Sequence, residues 1–461
     1  MLSDNAIDLI IEAAMSNNAD LAEVYIEAAR SSGVGLLDKN VTKCSSYLGT
    51  GIGIRIIKDT NVVYVFSNDP DTEALVRMAK DASCALKGND PVDIIRTSEL
   101  SVTDPSKIVR PAIDMSKSEF IDYLMPAIEF ASGYDPRIDK VTSSFSTSEK
   151  IVRIVNSRGI NKQERRQRSR AVLSVIASDG NEKQTATISP GTIRGFEFFD
   201  EYRLIDKTRE KCDSALRMLE AGYAPSGKMP VVIGNGFGGV IFHEACGHTL
   251  EATAVGIKSS PFTDKLGEKI ASDVVSARDN ARIEGEWGSY YTDDEGNESS
   301  DLLLIENGIL KNYLVDEIGS RRMNCPVTGC ARRQNYAYAP TSRMSNTYIC
   351  AGKDDPEDII SDTEYGLYAT SMGGGSVDTS TGEFNFAVNE AYMIRNGKVA
   401  EPVRGATLIG KGPEILMNID RVGKDLELAV GVCGSISGSV PVTVGQPTIR
   451  VSSIVVGGRE E

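Results

Sequence analysis

The sequence predicts an α+β protein: one or more N-terminal α+β regions, then a β-rich C-terminal domain carrying a distorted metal-binding helix. Three observations lead there. Helical periodicity followed by strand-like runs occurs twice before about residue 225. Beyond that point two Asn-Gly pairs sit between apolar runs, the strongest short-range hairpin signal. The only two histidines of the 461-residue chain fall in one phrase, at a spacing a regular α-helix does not bring together.

Taken in order, Ile7, Ile10, Ile11 and Ala14 recur at helical spacing and predict a first amphipathic helix from about residue 4 to 16. The runs AEVYIEA, VGLLDKNVTK, GIGIRIIK and NVVYVFSND read as four short strands, and Leu75, Met78, Ala79, Ala82 and Leu86 mark a second helix. The stretch LSVTDPSKIVRPAID interrupts the pattern and suggests a boundary. Ser116 and Glu119 then form a capping box for a helix carrying Phe120, Leu124, Ala127, Ile128 and Ala131, with Pro126 expected to bend it. KVTSSFSTSE, KIVRIVNS, SRAVLSVIAS and EKQTATIS read as further strands before a helix from about Leu204 to Ala221. The recurrence of helix, strands, helix suggests a duplicated α+β unit.

YAPSGKMP marks the second boundary, before the strand Val231-Val232-Ile233. Hairpins are expected to turn at Asn307-Gly308 and at Asn396-Gly397, the latter following alternating Phe384, Phe386 and Val388. The expected division is 1–110 and 111–225 as α+β regions and 226–461 as the β-rich catalytic domain, with few helices besides the metal-bearing one.

Composition narrows the function. Hydrophobic residues make up 41% and charged residues 25%, ordinary for a globular chain, and no apolar run approaches a membrane span. The N-terminus carries two Asp and a Glu and does not read as a signal peptide. A net charge of −15 argues against nucleic acid as a partner. The one basic cluster, Arg165, Arg166, Arg168 and Arg170, reads as the solvated part of a strand or hairpin, with grip on a peptide carboxylate as the functional alternative. Eight cysteines without framework spacing point to reduced thiols in a cytoplasm; the Cys325 and Cys330 pair is a weak metal signal on its own.

The chemistry concentrates in His243-Glu244-Ala245-Cys246-Gly247-His248. A zinc hydrolase needs neutral imidazoles to hold the ion and a carboxylate beside the water it activates. His243 and His248 supply the first and Glu244 the second. At i, i+5 the second ring would stand about 140° round a regular helix from the first, so the segment must hold a π-turn or unwind near Gly247. Just upstream, Gly234, Gly236 and Gly239 spell a formal G-x-G-x-x-G. No ribose-binding acid follows on a second parallel strand, so the glycines are expected to let backbone approach the metal or substrate closely. With no third histidine, the remaining ligand is open among Cys433, flanked by glycines, Glu251, and Cys246.

These motifs, with Asp293-Asp294-Glu295-Gly296, LIENGILKNYLVD, Arg343-Met344-Ser345-Asn346-Thr347-Tyr348, YGLYATSMGGGSVD, GATLIGKGPEIL, VGVCG and Gly445-Gln446-Pro447, span most of residues 230–461. The chain thereby resembles the TldD/PmbA metallopeptidases, on the side that keeps the metal motif. Over residues 1–225 the likeness is one of pattern. The resemblance implies one Zn2+ per chain on His243, His248 and Cys433, with Glu244 as the catalytic carboxylate. It also implies a homodimer, or a heterodimer with a metal-less paralogue, that encloses the active sites in a cavity. Unstructured peptides would be held extended along a β-edge. Where the family more often has glycines this chain reads Thr249-Leu250-Glu251-Ala252, so its pocket is expected to differ.

The expected function is therefore a zinc-dependent peptidase with no membrane or nucleic-acid partner. Two alternatives use the same residues: a non-catalytic, zinc-pinned peptide-binding chamber, and a Cys433/His243 hydrolase without metal. Glu244 speaks against both, because neither a closed structural site nor a Cys–His pair needs it.

Overall fold

The computed structural model describes residues 2–86, 91–96, 99–104, 108–378 and 380–459. Its N-terminal half is built on one eight-stranded sheet. Helix α1 (Asp4–Met15) buries Ile7, Ile10, Ile11 and Ala14, the stripe its periodicity demands, and is capped by Ser3. Strands β1 (Leu21–Leu37), β2 (Asn40–Lys58) and β3 (Asn61–Ser67) follow as an antiparallel meander, then helix α2 (Thr72–Ser83). The second round begins with α3 (Lys117–Ser132), where Ser116 and Glu119 form the expected reciprocal cap and Pro126 lies inside the helix. It continues through β4 (Ile138–Asn156), β5 (Asn161–Ser178) and β6 (Lys183–Ile188) to α4 (Leu204–Glu220).

Strands β1 and β4 pair antiparallel from Glu23↔Asn156 to Leu37↔Thr142, so the two meanders join first strand to first strand in a single sheet. Helices α1 and α2 cover one apolar cluster, and α3 and α4 another around Phe120, Phe145 and Phe199. The strands are longer than the sequence suggests. The expected second strand, VGLLDKNVTK, is split by a turn at Asp38-Lys39 between β1 and β2, and KVTSSFSTSE and KIVRIVNS are one strand, β4. Residues 40–48 of β2 are exposed, so no burial alternation marks them as a strand. Pro105, Ser106 and Lys107 of the first expected boundary lie outside the described residues.

The C-terminal half holds two large sheets and a two-stranded ribbon that pairs Ala331 and Arg332 with Ser342 and Thr341. The first contains β7 (Gly227–Ile233), β8 (Tyr365–Asp378), β9 (Glu383–Arg395), β10 (Thr407–Lys411) and β11 (Ile449–Gly457). Its pairings run β8-β7-β11-β10-β9 and return from β9 to β8, closing a five-stranded ring. Val231, Leu367, Phe386, Leu408 and Val451 fill it. The second sheet has six strands and ends on the hairpin β12 (Glu427–Ser435) and β13 (Gly438–Gln446), with β12 at its edge. Both Asn-Gly turns form: Asn307 and Gly308 take φ of 48° and 81°, Asn396 and Gly397 of 53° and 69°, the left-handed pair a tight hairpin requires. Other helices here are short, such as Glu317–Met323 and Gly412–Asn418.

Candidate metal centre

The chain leaves β7 at Ile233 and enters a helical stretch that changes pitch three times. Gly236–Gly239 is a 3₁₀ turn, Val240–Phe242 is α, His243–Gly247 is π and His248–Leu250 is 3₁₀. The backbone N–H of His248 donates to the carbonyl of His243, the i to i+5 bond of a π-turn. That extra residue per turn stacks His248 on His243, as their spacing demands. The rings stand 5.2 Å apart at 80°.

Glycine allows the tight surroundings. A Cβ on Gly239 would fall 2.4 Å from the carbonyl oxygen of Gly445 in β13, and one on Gly412 would fall 2.1 Å from that of Ala245 inside the π-turn. Gly239 of the G-x-G-x-x-G thus serves helix-to-strand contact, where approach to metal or substrate was expected.

Strand β12 brings the third donor. Cys433 Sγ lies 3.2 Å from His243 Nε2 and 3.0 Å from His248 Nε2. The three donor atoms all lie within 4.8 Å of one another, and all three residues are buried. Of the other two candidates, Cys246 turns its thiol towards the Gly412 carbonyl, and burial pushes that thiol's pKa up. Glu251 sits behind the site, its Oε2 accepting from His248 Nδ1 at 3.1 Å. A carboxylate there fixes the ring so that Nε2 faces the thiol.

Burial opposes ionisation of Cys433, but His243 and His248 outweigh it and bring the thiol down to about 4. Burial likewise opposes charge on His248, yet Glu251 and Cys433 lift its pKa well above the usual value. A thiolate facing two imidazole nitrogens is a donor set suited to a borderline-soft divalent ion such as zinc. The N···S gaps are a few tenths of an ångström below the roughly 3.5 Å expected between tetrahedral zinc ligands. Glu244 Oε2 is 3.7 Å from His248 Nε2, and its side chain is 26% exposed. It borders the cluster on the side open to solvent.

Arg343 holds the hairpin that presents the thiol, donating to the carbonyls of Cys433 at 2.6 Å and Gly438 at 2.9 Å and to Ser437 Oγ. Asp293 and Asp294 stand elsewhere: Asp293 accepts the backbone N–H groups of Glu295, Asn297 and Ala331, and Asp294 pairs with Arg166. Sequence reading did not foresee the parts played by Glu251 and Arg343. The signal for Glu251 is its place three residues after His248; for Arg343 it is its place at the head of the Arg343–Tyr348 motif. The Arg165–Arg170 cluster departs from the solvated face expected of it. Arg165 pairs with Glu149, Arg166 with Glu164 and Asp294, Arg168 donates to the Trp287 and Ser289 carbonyls, and Arg170 to Ser189. A strand between two domains needs polar groups on its covered face to meet the partner's backbone.

Two imidazoles, a thiol and an adjacent carboxylate, carried on a π-turn and a strand of a mixed α/β fold, are the donor set and neighbouring base that metal-dependent hydrolases use. Within that class the sequence comparisons are specific. Profiles described as PmbA/TldA metallopeptidase domain 1, central domain and C-terminal domain match residues 22–83, 110–219 and 226–458. A metalloprotease TldD homolog of Haemophilus influenzae is 34% identical over 470 aligned residues, covering 99% of this chain and 97% of its own. A metalloprotease of Methanocaldococcus jannaschii is 32% identical over 467, covering 99% and 100%. The chain belongs to the PmbA/TldD metallopeptidase family. Among solved structures, a Thermotoga maritima protein described as a modulator of a DNA gyrase superposes with a TM-score of 0.81 at 19% identity, over 98% of this chain and all of that one. TldE from Thermococcus kodakarensis gives 0.74 at 19% identity, again over 98% and 100%. At that identity the likeness is one of fold.

Proposed function

We propose that the protein is a zinc-dependent peptidase that cleaves extended, unstructured peptides, with His243, His248 and Cys433 as the metal ligands and Glu244 as the general base. The observation that carries this reading is the convergence of two Nε2 atoms and one Sγ beside a solvent-reachable carboxylate. Zinc held there would acidify a bound water and polarise the scissile carbonyl. Glu244 takes the proton from the attacking water and returns it to the departing amine. Glu251 holds His248 in the tautomer that leaves Nε2 free, and Arg343 anchors the backbone of Cys433. Among the described residues strand β12 pairs with β13 alone and so leaves an edge on which a peptide adds as a further strand, beside the thiolate it carries. Exposed Val432 and Ile436 flank Cys433 there and give apolar side chains a surface. In this reading the protein works as a dimer, with itself or with a metal-less paralogue, in the cytoplasm.

One observation favours a second reading: Cys433 lies within hydrogen-bond distance of both histidines and ionises readily, as a cysteine nucleophile would. Chelation separates the two. The peptidase loses cleavage of an unstructured peptide when its metal is removed and regains it on adding zinc; a Cys433/His243 hydrolase keeps its rate. Cleavage that survives complete metal removal rules out the zinc mechanism.

A further inference from the structure

A second polar cleft lies where β5 meets the C-terminal domain, lined among others by Ser148, Lys150, Arg168, Arg332, Val440 and Pro441. Most cations at this junction are matched. Arg166 pairs with Glu164 and Asp294, Arg333 with Glu23, and Lys150 with Glu27. Arg168 and Arg332 are different. Arg168 donates to the carbonyls of Trp287 and Ser289, and Arg332 to those of Met344 and Pro441. Among the described residues neither has a carboxylate within ion-pair distance. Arg332 is 5% exposed and lies with its guanidinium 5.0 Å from the centre of the Tyr290 ring.

Two guanidinium groups lining one cleft without a carboxylate in ion-pair distance are costly to bury. Burial first, then Arg332 and Arg166, bring Arg168 down to about 9. An anion entering the cleft relieves that repulsion. Its position is informative, because Val440 lines the cleft and is the cross-strand partner of Cys433. Paired residues on adjacent strands project from the same face, about 5 Å apart. The cleft therefore reaches the hairpin that carries the metal-site thiol, at the residue paired with it.

We propose that this cleft receives the C-terminal carboxylate of a bound peptide, with Arg168 and Arg332 as its anchors, so that the metal centre releases short C-terminal fragments. The assignment rests on the peptidase reading and gives it a substrate class. A carboxylate suits the site better than a phosphate. Each guanidinium already spends two donors on backbone carbonyls, and Glu164 and Asp294 stand close enough to disfavour a dianion.

The test is binding, so it stands apart from turnover. Full-length Glu244→Gln protein is titrated, by fluorescence anisotropy, into two unstructured peptides of one sequence, one ending in a free carboxylate and one in an amide. The free acid should bind at least about tenfold more tightly, the range of a charged hydrogen-bonded contact. Arg168→Gln should erase that difference while leaving the affinity for the amide unchanged. Equal affinity of wild-type Arg168 protein for acid and amide overturns the assignment, with no variant needed. So does an amidated peptide with an internal Asp that binds as tightly as the free acid, and so does displacement by inorganic phosphate without any preference for the acid. A variant that loses thermal stability yet keeps the preference shows Arg168 to be a packing staple, which also overturns it. Absence of cleavage by zinc-loaded wild type, with the acid preference intact, sinks the peptidase reading and leaves the carboxylate site standing.

Discussion

Glu244 lies in the π-turn and Glu251 just past the end of the same helical stretch, and their surroundings give them different work. Glu244 is open to solvent at the edge of the His–His–Cys cluster, whereas Glu251 is buried against His248 Nδ1. Glu244→Gln should therefore keep the metal and lose at least about a hundredfold in rate, because only the proton acceptor is gone. Metal analysis beside steady-state cleavage checks this; an unchanged rate removes Glu244 from the mechanism. Glu251→Ala should do the reverse, weakening metal affinity by about 10–100-fold as the His248 ring loses its orientation. Competition with a coloured chelator measures it, and wild-type affinity would leave Glu251 as packing. The histidines, Glu244 and Cys433 were legible in the sequence from residue type, spacing and family resemblance. Glu251 was legible only as a rival ligand, since nothing in its spacing distinguishes a carboxylate that binds an ion from one that binds the ligand's far nitrogen.

The π-turn is the element on which the site depends, and the i, i+5 spacing of its histidines announces it. Gly412 presses against its Ala245 carbonyl, closer than any Cβ can come. Gly412→Ala should cost about 1–3 kcal/mol through overpacking and lower metal affinity as well, because the strain falls on the turn that stacks the two rings. Thermal unfolding with metal titration tests this, and a variant destabilised but with normal metal affinity would uncouple the turn from the site. Strand lengths were harder to read. The exposed residues 40–48 lack alternation, and Asp38-Lys39 turns the chain without a glycine or proline, Asp38 taking a φ of 53° while its carboxylate accepts the backbone N–H of Val141 on the neighbouring strand. The glycine phrase before the motif misdirects in the same way: Gly239 is needed for close contact with Gly445, which sequence order does not bring near.

Across the whole molecule, charge joins the N-terminal sheet to the C-terminal half. Arg55 bridges Glu23 and Glu295 and Arg333 meets Glu23, all buried, and the nearly buried Arg166 meets Asp294. A run of arginines on one strand reads as solvated until the fold sets a second domain against it. Burial works against the charge of Asp294, but Arg166 and Arg333 outweigh it and hold its carboxyl below the usual value. In the window between that lowered value and about 3.9 the unfolded chain binds more protons, so stability rises with pH there. The contribution is complete above about pH 4 and lost as pH falls through the folded-state value. Asp294→Asn should be less stable at neutral pH by about 1–3 kcal/mol, since Arg166 keeps Glu164 as its only carboxylate partner, and its stability should depend less on pH below 4. Thermal melts across that range test it; parallel wild-type and variant curves would remove Asp294 from the acid transition. The central claim concerns the metal. Zinc content and cleavage of an unstructured peptide should be measured side by side on wild type, Cys433→Ser and Glu244→Gln, before and after chelation. The account predicts one zinc per wild-type chain, weakened binding in Cys433→Ser, a loaded but nearly inactive Glu244→Gln, and cleavage that chelation abolishes. Stoichiometric zinc in Cys433→Ser at unchanged affinity, or cleavage indifferent to its removal, would contradict it.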